Sequence, residues 1–298
     1  MKTGLLPLFI LFISMSSCDT GEMTLREINW QGHRGARGVY PENTWPAFQY
    51  ALENNMQTLE MDVVLTSDNK VVLSHEPFLS HEICLDSFGN AIGPEKEGEY
   101  NIFRMTYEEL QQYDCGSKAH PRFPDQAKLK VTKPLLGDII GKAEGFKRDS
   151  EIYYNIEVKS SPSRDSLYYP SVETYTDHVV NVISRSGIFS RTTLQSFDKR
   201  CLRYAHKAYP ELDLALLVED SENYLKEIEE LGFEPHIYSC HYSLVSPELV
   251  KYCQQQKIDL IPWTVNDLQV ARELIEMGVN GIITDYPALK EEISTSSN

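Results

Sequence analysis

The sequence predicts an α/β chain closed into a (β/α)8 barrel of the TIM type, with one insertion after the hairpin of the second strand. Three observations point there. Eight short apolar runs lie between residue 28 and the C-terminus; segments with apolar residues at helical spacing separate them; and the alternation breaks once, over residues 76–134. Counting strands does not prove closure, so a doubly wound open sheet stands as the structural alternative.

The strands are expected at 28–32, 59–65, 153–158, 192–197, 212–218, 236–240, 260–265 and 281–284. The helices between them are expected at 45–53, 135–146, 172–186, 199–208, 224–231, 247–256 and 268–277, where apolar residues recur every three to four positions. Asn43 or Thr44, Ser246 with Pro247 following, and Asn266 or Asp267 stand where helix N-caps are wanted. Gly187, Gly232 and Gly278 stand just past helical patterns, where the chain turns left-handed. Residues 66–70 (Thr-Ser-Asp-Asn-Lys) separate the second strand from a short partner at 71–73 and form a hairpin turn. With Asp68 and Asn69 as a two-residue tip, the antiparallel register sets His75 opposite Asp62. The 76–134 segment is rich in Gly, Pro, Tyr and charge, and far exceeds an ordinary connection of ~2–6 residues, which marks it as a substrate-facing insertion.

The chain has 298 residues and a formal net charge of −16, with no basic cluster, which argues against nucleic acid as a partner. An acidic protein that handles an anionic substrate needs a local positive centre, and a divalent cation is expected to supply it. Lys2 precedes an apolar run, 5–13, too short to span a bilayer; it reads as a signal-peptide core. The run ends in Met15-Ser16-Ser17-Cys18, which resembles a bacterial lipobox with Met15 at the usual Leu position. Residues 1–18 are therefore expected to be a signal segment with Cys18 lipidated, 19–27 a tether, and 28–298 the barrel. The expected location is exported, membrane-anchored through Cys18, facing the periplasm or cell surface. The remaining cysteines are Cys84, Cys115, Cys201, Cys240 and Cys253, without a C-x-x-C pair. Thiolate zinc is not expected, and Cys84 and Cys115 share one irregular segment that would allow a bridge; unpaired buried thiols are the equal alternative.

The chemistry concentrates near the N-terminus, in His33-Arg34-Gly35, Pro41-Glu42-Asn43-Thr44, Glu60-Met61-Asp62 and Ser74-His75-Glu76. Residues two apart on a strand share a face, so Glu60 and Asp62 project together, and so do Glu157 and Lys159. Flanking Leu59, Met61, Val63 and Val64 set the first pair in buried surroundings, where hard carboxylates make a half-built Mg²⁺ or Ca²⁺ site. His33 and His75, with ordinary pKa values of about 6.5, suit general acid and base roles. Arg34 offers a planar fork for phosphate oxygens.

These words, in this order, resemble the glycerophosphodiester phosphodiesterase family. The resemblance covers almost all of the chain from Trp30 to Pro287. It implies a barrel with an insertion at this point, one divalent cation on Glu60, Asp62 and Glu157, and Lys159 near the phosphate. It also implies Phe197 and Trp263 around the substrate and Glu42 near the same mouth, orienting Arg34 or the metal site, or belonging to a motif that only caps the helix. The implied reaction is hydrolysis of a glycerophosphodiester, of the glycerophosphocholine or glycerophosphoethanolamine type, to glycerol 3-phosphate and an alcohol. Two positions depart from the family pattern: Glu76 stands where Asp commonly follows the second His, and Asn69 where Gly is usual after Asp68. A related barrel enzyme acting on intact phospholipid is the nearest rival. A surface lipoprotein that only binds such diesters would predict a damaged site, whereas every core group is present.

Overall fold

The computed structural model describes residues 28–295; the signal, tether and Cys18 expectations lie outside them. The strands are β1 (Asn29–Gly32), β2 (Thr58–Leu65), β3 (Val71–Leu73), β4 (Tyr153–Val158), β5 (Thr192–Ser196), β6 (Asp213–Val218), β7 (Ile237–Cys240), β8 (Asp259–Leu260) and β9 (Gly281–Thr284). The helices are α1 (Trp45–Glu53), α2 (Tyr107–Leu110), α3 (Leu136–Glu144), α4 (Val172–Arg185), α5 (Lys199–Ala208), α6 (Tyr224–Leu231), α7 (Pro247–Gln256), α8 (Leu268–Met277) and α9 (Leu289–Thr295). The short final helix α9 is not legible in the sequence pattern.

Strand order is β8-β7-β6-β5-β4-β2-β1-β9, all parallel, with β3 antiparallel on β2. The two ends of that order, β8 and β9, are joined by backbone hydrogen bonds, which excludes the open-sheet alternative. The ring closes through backbone bonds from Asn280 N–H to Leu260 O (2.8 Å), Ile283 N–H to Pro262 O (3.0 Å) and Val265 N–H to Ile283 O (2.9 Å). The strand expected over 260–265 is a correction: regular pairing ends at Leu260, because Pro262 has no N–H to give to a ladder. Beyond it the segment still touches β7 through Trp263 N–H to Cys240 O (3.0 Å), and Trp263 bridges His241 just past that strand.

Leu59, Met61 and Val63 face outward into the main core, packed with Phe48 and Leu52 of α1 and Ile139 of α3. Ala215, Ile237, Ile261 and Ile283 fill the barrel interior. Burying each large aliphatic side chain contributes about 1.5–3 kcal/mol, so this two-sided packing fixes which way the intervening Glu60 and Asp62 point.

The hairpin register differs from expectation by one. Val63, Val64 and Leu65 pair with Leu73, Val72 and Val71, and the Ser74 N–H donates to Asp62 O (3.0 Å), so Ser74 rather than His75 lies opposite Asp62. The cause is Asn69, whose φ of 58° places it in the left-handed region and lengthens the loop to three residues closed by Thr66 and Lys70. Asn is the side chain most tolerant of that conformation after Gly, so the departure from the family's Gly keeps the turn.

Ser246 and Asp267 cap α7 and α8 as expected, whereas neither Asn43 nor Thr44 caps α1 with its side chain. Asn43 is used elsewhere. The insertion is ordered around its own small core of Leu79, Ile92, Ile102 and Leu110 against Val64 and Val72, with Cys84 and Cys115 joined in a disulfide. Cys201, Cys240 and Cys253 are free and buried.

Candidate active site

At the C-terminal end of the barrel strands a cavity of about 560 Å³ opens, lined by His33, Arg34, Arg37, Glu60, His75, Glu157, Lys159, Phe197 and Trp263 among others. Barrel enzymes keep their chemistry at this end because the strand-to-helix loops converge there. Every predicted site residue except Asp62 and Glu42 lines that cavity. Those two lie directly behind it, tied to Arg34.

The turn after β1 is built for the site. Arg34 sits at φ 49° and Gly35 at φ 83°, and a Cβ on Gly35 would lie 2.7 Å from the backbone of Ala47 and Phe48. That sharp turn aims the Arg34 N–H at Glu60 Oε2 (2.8 Å). Gln195 Nε2 donates to the other Glu60 oxygen (2.8 Å), and Asn155, shared between Gln31 Oε1 (2.8 Å) and Gln195 Oε1 (3.0 Å), holds Gln195 in place. Asn43 braces Asp62 twice, its Nδ2 donating to Oδ2 (2.9 Å) and its Oδ1 accepting from the Asp62 N–H (3.2 Å). Glu42 accepts from Arg34 Nη1 (2.9 Å), the contact that orienting Arg34 calls for.

Glu60, Asp62 and Glu157 are 2%, 1% and 6% exposed, and each offers a ligand oxygen within 4.8 Å of the others. Lys159 neutralises part of this charge, 3.0 Å from Glu157 and 3.8 Å from Asp62. Asp62 Oδ1 is buried with no hydrogen-bond partner, a costly arrangement for a carboxylate unless a cation takes that lone pair. Hard oxygens, three carboxylates and one orphaned acceptor fit a divalent cation of the Mg²⁺ or Ca²⁺ kind. Burial, then repulsion from Asp62, pushes Glu60 well above the usual carboxylate range and Glu157 up to about 7. Burial also opposes ionisation of Asp62, but Arg34, His75 and Lys159 outweigh it and hold this carboxyl well below its ordinary value. The site is thus strained by its own negative charge.

His33 Nδ1 meets Asp285 Oδ1 at 2.7 Å, and its Nε2 lies 4.0 Å from Glu60. Asp285, 0% exposed, also accepts from Arg37 Nε (2.9 Å) and Nη2 (3.0 Å) and from Asn266 Nδ2 (2.7 Å). Burial and then Arg37 lower His33 to about 4 despite Asp285, so at neutral pH the ring is uncharged. A carboxylate only accepts, so the proton sits on Nδ1 and the Nε2 lone pair points toward the cavity. His75 has the same layout in looser form, with Nδ1 2.8 Å from Glu76 Oε1. Burial, then Arg34 and Lys159, lower its pKa as well. Glu76, which departs from the expected Asp, thus still puts a carboxylate on His75 Nδ1.

Phe197 and Trp263 stand edge to face at 5.6 Å, with Lys159 5.8 Å from the Phe197 ring, and Trp263 is fixed by its Nε1–H to Ser239 O (2.9 Å). His241 also reaches the cavity wall. Asp285, Arg37, Asn43 and Gln195 are the residues that sequence reasoning missed. For Asp285 a signal existed, since an acid one residue past the last barrel strand reads as functional.

The model of a family described as the glycerophosphoryl diester phosphodiesterase family matches residues 33–289. A glycerophosphodiester phosphodiesterase of Bacillus altitudinis is 32% identical over 259 residues, covering 86% of this chain and 93% of its own. A solved structure from Silicibacter pomeroyi that carries the same family's name superposes with a TM-score of 0.81 at 29% identity, covering 92% of this chain and 96% of its own. An Oleispira antarctica phosphodiesterase solved with its product sn-glycerol-3-phosphate shares the fold, with a TM-score of 0.68 at 22% identity over 90% of this chain and 96% of its own.

Proposed function

Because this chain belongs to the glycerophosphoryl diester phosphodiesterase family, we propose that it hydrolyses glycerophosphodiesters with the residues gathered at this mouth, releasing glycerol 3-phosphate and the alcohol. The observation that carries the assignment of residues is the buried triad Glu60, Asp62 and Glu157, with its orphaned Asp62 oxygen, flanked by two histidines that each have Nδ1 held by a carboxylate. A divalent cation bound there supplies positive charge to polarise the phosphoryl group. Ca²⁺ is the ion we favour over Mg²⁺, since the proposed exported setting is rich in it.

Arg34 and Lys159 then face the non-bridging oxygens, and their charge counts for more as burial lowers the local dielectric. One of His33 and His75 accepts a proton from the nucleophile through Nε2. The other returns a proton to the departing oxygen, so the pair is balanced over a turnover. Glu42 and Asp285 keep Arg34 and His33 in register. Phe197 and Trp263 supply the apolar wall against which the carbon skeleton of the substrate rests.

We also propose that the chain is exported and tethered through a lipidated Cys18. The Cys84–Cys115 bridge supports this, since such bonds persist in oxidising compartments.

The test is release of glycerol 3-phosphate from glycerophosphocholine and glycerophosphoethanolamine, with EDTA and then with Ca²⁺ or Mg²⁺ restored. Release that returns with one ion is expected and identifies it. Cleavage of intact lysophospholipid alone would move the substrate to the membrane, and full activity in EDTA would remove the metal from the site.

A further inference from the structure

The cations on the cavity wall are not equivalent. Arg34 is tied to Glu42 (2.9 Å), Arg37 to Asp285 (2.9 Å) and Lys159 to Glu157 (3.0 Å), so each arrives at the mouth partly neutralised. Arg122 also lines the cavity, yet among the described residues it has no carboxylate partner within 4.0 Å. It comes from the insertion rather than from a barrel strand, and it also lines the smaller recess between the insertion, His75 and Arg34. That recess places it on the side of the mouth that Arg34 and His75 occupy.

The backbone beneath Arg122 is pinned. The Arg122 N–H donates to His120 Nδ1 (3.1 Å), and the next residue, buried Phe123, lies 4.8 Å from the His120 ring and 6.2 Å from the Tyr286 ring, 5.0 Å from the Arg37 guanidinium carbon. Gln126 Nε2 donates to Arg37 O (2.6 Å), and the Ala127 N–H to Val39 O (2.9 Å). The insertion is thus welded to the loop after β1, the same loop that carries His33 and Arg34. An unpaired guanidinium on a fixed turn, beside a phosphate site, is prepared for an anion.

Resting on the diesterase reading above, we propose that Arg122 is a substrate-binding residue that takes a non-bridging oxygen of the reacting phosphodiester. The insertion thereby completes the anion site, supplying the charge that Arg34, Arg37 and Lys159 have already spent on carboxylates. The shared chemistry is an anionic oxygen, and a charged group on the departing alcohol is the rival source.

The experiment compares wild type, Arg122→Ala and Arg122→Lys in the metal-loaded full chain. The substrates are glycerophosphocholine, glycerophosphoethanolamine and glycerophosphoserine, and binding of sn-glycerol 3-phosphate is followed by calorimetry. Arg122→Ala is expected to raise KM about tenfold on all three substrates and weaken product binding to match, with kcat within about threefold, as loss of one charge-assisted hydrogen bond in the ground state predicts. Arg122→Lys recovers part of the loss, since it restores charge without the fork. An unchanged KM, a kcat loss at constant KM, or a loss confined to glycerophosphoserine would each overturn the assignment. If wild type itself releases no glycerol 3-phosphate, the diesterase reading fails first, which is a separate result.

Discussion

Replacing Asp285 by Asn changes one oxygen to an amide nitrogen in a fully buried setting, and the structure allows the consequence to be worked out. The carboxylate accepts four hydrogen bonds, from His33, Arg37 twice and Asn266, at 2.7–3.0 Å. An amide accepts only on its remaining oxygen and turns a donor toward one of these donors, so the Arg37 guanidinium, itself 6% exposed, loses its counter-charge. Breaking a buried pair this way costs about 3–5 kcal/mol, which for a chain of this size lowers Tm by roughly 5–9 °C. His33 also loses the partner that fixes its Nδ1–H tautomer, and wrong-tautomer variants of histidine bases lose about 10²–10⁴ in kcat. The separating assay measures kcat, KM and metal affinity on protein held well below its lowered Tm. A kcat loss of about 10² or more, with metal affinity within a few-fold of wild type, is expected. Wild-type kcat in Asp285→Asn would show that His33 needs no orientation from Asp285, and the role given to His33 would fall with it.

Glu60→Gln should lose metal affinity and turnover together, because it removes a ligand charge; calorimetry with Ca²⁺ and Mg²⁺ reads the first, and retained affinity would exclude Glu60 as a ligand. His75→Ala should bind metal normally while turnover falls by about 10² or more, and an unchanged rate would place that proton transfer elsewhere. Glu42 gives a pH signature. Burial raises its pKa, but Arg34, Arg37 and Lys133 outweigh burial and hold it at about 2 in the folded protein, against about 4.3 unfolded. A depressed carboxylate contributes stability that is full above its unfolded pKa and is lost as pH falls toward the folded one. Unfolding midpoints followed from pH 6 to pH 2.5 should therefore fall more steeply in wild type than in Glu42→Gln, and equal slopes would mean that the Arg34–Glu42 pair contributes no such linkage.

Strand and helix positions were legible because apolar period and turn residues are local properties, and the barrel's ordinary elements stand within a residue or two of where those patterns put them. The misses have local physical causes. Pro262 has no N–H to donate to a ladder, and Asn69 takes a left-handed conformation that lengthens one hairpin loop and moves the register by one.

The sequence by itself brought out the candidate residues: three carboxylates on strands, two histidines and an arginine just past strand ends, in the order that the family resemblance reads as a phosphodiesterase site. Strand alternation alone was enough to put Glu60 with Asp62 and Glu157 with Lys159. Only tertiary structure decided what holds them. His33 finds Asp285 across 252 residues and Glu60 finds Gln195 across 135, contacts that exist because the barrel brings its last strand beside its first and its polar interior into one layer. It also decided that Cys84 meets Cys115 and that an arginine of the insertion reaches the mouth. A strand-end acid such as Asp285 shows in the chain as a candidate, but which residue it meets does not, because closure of the ring selects the partner and no local spacing records which strands will be neighbours.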